Sequence, residues 1–109
     1  MQKTAQVCVF SLLTFLMAGL SASAQDGARL YTYKFCITCH GRTGISVAPN
    51  YPNLAGQNEG YLVNQVKDII SKKRANKLTI LMTEHPVVIG ITDKEIAAIA
   101  AHMTNIKKK

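Results

Sequence analysis

Cys36-Ile37-Thr38-Cys39-His40 places two thiols two residues apart, with an imidazole directly behind the second. One chemistry needs all three groups at this spacing. Each thiol adds across a vinyl group of a porphyrin to form a thioether, and the histidine, held beneath the ring, supplies a nitrogen ligand to iron. The run is the attachment signal of a c-type haem, with Cys36 and Cys39 as covalent anchors and His40 as proximal ligand.

Two other chemistries use the same thiols. A redox-active Cys-x-x-Cys pair wants a strand before it and a helix opening at it within βαβ units, and nothing in the chain supplies that alternation. A zinc site wants two further ligands. Beside His40 only His85 and His102 remain, without finger-like spacing.

The opening residues read as an export signal. Lys3 gives a positive start, Val7 to Leu20 is almost wholly apolar, and Ala22-Ser23-Ala24 offers a small-x-small cleavage pattern. Residues 1–24 are therefore expected to be a secretory signal peptide, cut after about Ala24 to leave Gln25 to Lys109 as one periplasmic domain. The apolar stretch is shorter than the roughly 20 residues of a membrane span, and no stop-transfer charges follow, so permanent membrane insertion is not expected. Cys8 leaves with the leader. The mature chain then keeps only Cys36 and Cys39, and needs no disulfide framework in an oxidising compartment.

A domain of this size sits near the limit at which a hydrophobic core alone suffices, and a porphyrin held among its side chains would add a large apolar body. The 109 residues carry 13 Lys and Arg against 6 Asp and Glu, a net charge of +7. Lys3 is the leader's single charged residue, so its loss leaves +6. That balance favours docking to acidic protein surfaces and speeds encounter. Lys72, Lys73, Arg74 and Lys77 form the densest basic cluster, and Lys107 to Lys109 a basic tail. An exported chain without an aromatic-rich basic stripe is a poor nucleic-acid binder.

The elements that must position the haem run are helical. Ala28, Tyr31 and Phe35 recur at helical intervals and predict a helix over 26–35, with Gly27 as a point of close approach for another helix. Glycine, proline and asparagine cluster between Gly41 and Gly56, and predict a loop that wraps the haem. A second helix is predicted over 58–73, capped by Asn58, with Tyr61 or Leu62, Val66 and Ile69-Ile70 as its buried stripe. Arg74 to Thr83 reads as a loop or short turn, and Val87 to Ile91 as an extended or coil segment after Pro86. Thr92-Asp93-Lys94-Glu95 is a capping box that opens a last helix ending near Asn105 or Ile106. A small all-α domain follows.

Iron held by histidine on one side needs a second axial ligand if it is to shuttle electrons. Met103 lies on the inner face of the last helix and is expected to fill core; His102 is expected to meet solvent. Met82 lies on the irregular segment free to fold over the opposite haem face and is the first candidate, with His85 as its rival. A thioether favours ferrous iron and raises the reduction potential relative to a second imidazole. It also fills the position at which oxygen or peroxide would bind.

Gln25 to Met103 resembles the bacterial class I cytochromes c, small exported monohaem proteins and the single domains of their dihaem relatives. The resemblance is carried by Gly27 with Tyr31, by Cys36 to Gly41, by Ala48-Pro49-Asn50-Tyr51-Pro52-Asn53-Leu54-Ala55-Gly56-Gln57, by Tyr61-Leu62 with Gln65, by Met82, and by Thr92 to Ile96 before an alanine-rich helix. It implies the cytochrome c fold: N- and C-terminal helices crossing near Gly27, and a haem wrapped by loops and a middle helix. It also implies that the Pro52 carbonyl accepts a hydrogen bond from the other ring nitrogen of His40, and that Leu54 packs on the porphyrin. The family's aromatic pair late in the last helix is His102-Met103 here, and the segment from Met82 to Thr92 is longer than usual.

These features point to a periplasmic electron carrier, not an enzyme, whose covalent haem c iron cycles between Fe(III) and Fe(II). The alternatives are a haem c subunit of a larger periplasmic dehydrogenase, or a haem enzyme or sensor with a labile sixth ligand, for which no distal acid–base constellation is visible. The expected partners are redox proteins with acidic docking surfaces, such as a membrane oxidase, a cytochrome complex or a dehydrogenase. Haem should remain with the polypeptide in acid–acetone and on denaturing gels. Cys36→Ala should weaken that retention, and loss of both thiols should leave largely unfolded apoprotein. Quantitative extraction of haem from the wild type would contradict covalent attachment.

Overall fold

Gly27 decides how the two ends of the domain meet. A Cβ at this position would collide with the carbonyl oxygen of Ala98 and crowd the Cβ of His102, so the helices that carry these residues cross in backbone contact. They are α1 (Ala22–Tyr33) and α6 (Asp93–Thr104). The computed structural model describes residues 22–107, with side chains from Asp26 onward. Residues 1–21 lie outside it, and with them most of the segment assigned to the leader, including Cys8. Lys108 and Lys109 of the basic tail also lie outside it.

Between the crossing helices run α2 (Cys36–His40), α3 (Glu59–Ile70), α4 (Ile80–Thr83) and α5 (Pro86–Ile89), and no strand is present among the described residues. α6 packs against both α1 and α3, and α4 packs on α3 and α5. Tyr31, Leu62, Ile99, Ala100 and Met103 form the buried cluster at this junction, with Leu54 and Ile37 packed against it. Met103, 1% exposed, fills the core as its helical face requires. His102 departs from expectation: its ring lies 6.3 Å from that of Tyr31, half-buried, and burial holds its pKa below the ordinary histidine value.

The caps fall where the sequence places them. Asn58 accepts from the Tyr61 amide at 2.9 Å and opens α3, whose buried residues are Leu62 and Ile69, while Tyr61 faces outward. The predicted helix over 58–73 is shorter, because Lys72 adopts a left-handed conformation with φ 64°. At α6 the Glu95 amide donates to Thr92 Oγ1 at 3.2 Å, and Glu95 Oε1 accepts from the Thr92 amide at 3.0 Å, completing the capping box. Glu95 also pairs with Lys34 at 3.2 Å, tying the start of α6 to the end of α1.

Two segments are more regular than expected. The loop from Arg74 closes into the turn of α4, and the segment after Pro86 is the turn of α5, with proline at its first position and the His85 side chain as its cap. α1 ends early. It stops at Tyr33, and Phe35, predicted to continue the helical face of Ala28 and Tyr31, is instead left-handed (φ 64°) and 50% exposed.

Thr92→Ala removes one half of the capping box and should lower stability by about 1 kcal/mol in denaturant unfolding. The hydrogen bonds from Thr92 and the Lys34 ammonium hold the Glu95 carboxyl below its ordinary pKa. Its contribution is therefore complete above the ordinary carboxylate range and is lost as pH falls through the lower folded-state value. Glu95→Gln should flatten that acid limb of the stability–pH curve, and an unchanged limb would contradict the assignment.

Candidate functional site

The haem run is presented by a sharp reversal. Left-handed Phe35, two residues past the end of α1, caps α2, a geometry that costs a non-glycine residue of order 1 kcal/mol or more. The reversal turns Cys36, Cys39 and His40 onto one short helix set against α1. Both cysteines are half-buried free thiols. Before any attachment, burial pushes the Cys36 thiol up to about 11. A redox-active Cys-x-x-Cys pair has the opposite signature, a depressed thiol pKa.

His40 is 8% exposed. Its Nδ1 lies 2.9 Å from the Pro52 carbonyl oxygen, which leaves Nε2 as the free ring nitrogen. Burial lowers the pKa of His40 against the opposing effect of that hydrogen bond, and the imidazole is held neutral, the form in which a histidine binds metal. Tyr51 lies beside the ring, with centroids 6.4 Å apart.

The Pro52 carbonyl is aimed by the loop on either side of it. The Gly44 carbonyl accepts from the amides of Leu54 at 2.7 Å and Ala55 at 3.1 Å, and the Gly56 amide donates to the Met103 carbonyl at 2.8 Å. Thr104 Oγ1 donates to the Gln57 carbonyl at 2.8 Å, so the loop is stitched to α6 at its far end. Ser46 holds the middle: its amide donates to Asn53 Oδ1 at 2.7 Å, and its hydroxyl to the Ala48 carbonyl at 2.7 Å. Gly41 and Gly44, both at positive φ, permit the turn; a Cβ at Gly41 would strike the Ile45 carbonyl. Leu54 is half-buried against the core cluster.

Met82 is half-buried on α4. A reciprocal turn sets that helix: the Thr79 and Leu78 amides donate to Asn76 Oδ1, both at 2.9 Å, and the Asn76 amide donates to Thr79 Oγ1 at 2.8 Å. His85 stands differently. Its ring lies against Phe35, 5.2 Å between centroids, and its Nδ1 accepts from the Val87 amide at 3.3 Å. An accepting Nδ1 puts the neutral ring's proton on Nε2, the nitrogen that an axial ligand must keep free.

Residues 24–107 match the family model described as Cytochrome c. The chain belongs to the cytochrome c family. A cytochrome c4 of Pseudomonas aeruginosa is 38% identical over 104 residues, which span 94% of this chain and 49% of that protein. A thiosulfate dehydrogenase electron acceptor of Stutzerimonas stutzeri is 32% identical over 94 residues, 79% of this chain and 41% of that protein. The crystal structure of reduced recombinant cytochrome c4 from Pseudomonas stutzeri shares the fold, with a TM-score of 0.66 over 80% of this chain and 50% of that one, at 22% identity. This cytochrome spans half or less of the length of these relatives. The expected all-α cytochrome c fold is thus the observed one, and its cofactor is covalently bound haem c.

The side chains fit that group. Two unpaired thiols stand on one short helix with a neutral, buried imidazole whose second nitrogen is already engaged. Neither the bond from the Tyr31 hydroxyl to the Gly41 carbonyl, at 2.6 Å, nor the Phe35 reversal has a signal in the residue pattern. A tyrosine on a helical face reads equally well as packing, and phenylalanine is not a residue that signals left-handed backbone. Gly41→Ala should cost at least about 2 kcal/mol by steric collision and positive φ together, measured by denaturant unfolding. A variant as stable as wild type would mean that the turn after His40 does not need its glycine.

Proposed function

We propose that this cytochrome is an electron carrier of the bacterial periplasm. In this reading Cys36 and Cys39 tether the haem, and His40 and Met82 are its axial ligands. The observation that carries it is the state of His40: buried, neutral, and with Nδ1 committed to the Pro52 carbonyl. A ring fixed in this way presents Nε2 in one direction only. Bound haem c supplies a one-electron Fe(III)/Fe(II) couple.

The chain's own groups set how that couple is used. The engaged Nδ1–H makes His40 a firm, oriented donor. The Met82 thioether, soft and uncharged, would favour the reduced state and fill the place an exogenous ligand needs. His85 is assigned no such role, because its Nδ1 accepts from the Val87 amide. The exposed Lys72, Lys73, Arg74 and Lys77 follow α3 and precede α4, and they form the surface on which an acidic redox partner would dock. No helix among the described residues is long and apolar enough to cross a membrane.

A second reading makes the chain the electron-accepting partner of a periplasmic dehydrogenase. It is favoured by the likeness to the thiosulfate dehydrogenase electron acceptor. The chemistry at iron is the same in both, and a stable complex with such an enzyme on gel filtration would favour the second.

Met82→Ala should open the sixth position, giving a high-spin or water-ligated haem that binds carbon monoxide when reduced. Met82→His should stay low-spin with a lower potential, since imidazole stabilises ferric iron more than a thioether does. His85→Ala should leave the spectrum unchanged. A spectrum altered by His85→Ala and untouched by Met82→Ala would reverse the assignment.

A further inference from the structure

The Gly41 carbonyl, one residue past His40, accepts two hydrogen bonds: from the Tyr31 hydroxyl at 2.6 Å and from the Gly44 amide at 3.2 Å. The Gly44 carbonyl in turn accepts from Leu54 and Ala55, just beyond Pro52, and the Pro52 carbonyl faces His40 Nδ1 at 2.9 Å. The path leaves the backbone beside His40 and returns to its ring. Tyr31, anchored on α1, is the side chain that holds this circuit from outside the loop.

We propose that the Tyr31 hydroxyl is a positioning group for the proximal ligand: by fixing the Gly41 carbonyl, it fixes the loop that aims the Pro52 carbonyl at His40. The inference rests on His40 being an iron ligand, and it adds a determinant of how strongly that ligand donates.

Packing alone does not account for the hydroxyl. Tyr31 is 2% exposed in a cluster of Leu62, Ile99, Ala100 and Met103, where phenylalanine would fill the same space. A hydroxyl buried there is destabilising unless it is bonded, and here it finds one acceptor. Desolvation raises the phenol pKa further above its ordinary value, so the group is always a donor. The backbone it holds is also bonded through the Gly41 amide to the Ile37 carbonyl at 3.1 Å, on the α2 side of the turn. Gly41 and Gly44 are both at positive φ and carry no side chain to anchor the turn. The Tyr31 hydroxyl adds a tie from α1, the helix closely crossed by α6, to the carbonyl side of that turn. A firmly held Nδ1–H···O bond increases the basicity of the imidazole and favours ferric iron. Loosening it should therefore raise the potential.

The test is Tyr31→Phe in the haem-loaded protein, read by NMR of the His40 ring and by the midpoint potential. The His40 Nδ1–H should exchange with solvent about tenfold faster, the factor expected for one ordinary buried hydrogen bond, and the potential should rise. Ile99→Val, in the same cluster, should lower stability while leaving both readouts unmoved. Unchanged exchange and potential in Tyr31→Phe, with His40 resonances still strongly shifted by the iron, would overturn the role of Tyr31 alone. His40 resonances without that paramagnetic shift would contradict the ligand assignment as well. If Tyr31→Phe takes up no haem, the wild type decides: a slowly exchanging Tyr31 hydroxyl proton close to Gly41 supports the role, and its absence overturns it.

Discussion

The hydrogen bond between His40 Nδ1 and the Pro52 carbonyl is the constraint that the loop, α6 and the helix crossing together satisfy. A ligand ring must point one way, and an imidazole at the end of a five-residue helix cannot orient itself. The carbonyl that orients it comes from twelve residues downstream, so the intervening loop must return at a fixed height and angle. That loop has no ladder of its own. It is held by the Gly44 carbonyl, by Ser46, and by two stitches to α6 at Met103 and Thr104. The position of α6 depends on its crossing with α1, and that crossing depends on the absence of a side chain at Gly27. A glycine near the start of the domain therefore bears on the geometry of the His40 ring.

Two opposing effects meet at His40, and burial wins. The Pro52 carbonyl favours a protonated ring and desolvation disfavours it, with desolvation the larger. The outcome is a neutral imidazole whose one proton is committed to the carbonyl. Burial acts on Cys36 in the direction opposite to that of a disulfide-exchange site, and raises the thiol. The same run of residues could have served a redox pair or a metal. The position of His40 directly after the second cysteine separates these chemistries, and the side-chain environment agrees with it.

Much of this was legible in the residues. Asn58 and the Thr92–Glu95 box mark helix starts because a side-chain acceptor at a helix start satisfies amides that have no other partner. Gly27 marks a close approach, and Met103 falls on the inner face of its helix. What escaped was set by tertiary contacts. Phe35 continues the helical pattern of Ala28 and Tyr31, yet α1 must end before it so that Cys36 can start a new direction. Lys72 ends α3 in a conformation that usually calls for glycine or asparagine. α4 and α5 are single turns, too short for periodicity to register. His102 was expected at the surface, and lies against Tyr31 because the crossing at Gly27 brings the two helices so close.

In the proposed reading, one imidazole, from His40, and one thioether, from Met82, hold the iron. Iron K-edge X-ray absorption of the haem-loaded protein tests it directly, because sulfur and nitrogen scatter at different distances. A first shell of nitrogens with a single sulfur, in both redox states, is the expected result. A shell of nitrogen alone, or one with a vacant axial position, would contradict it.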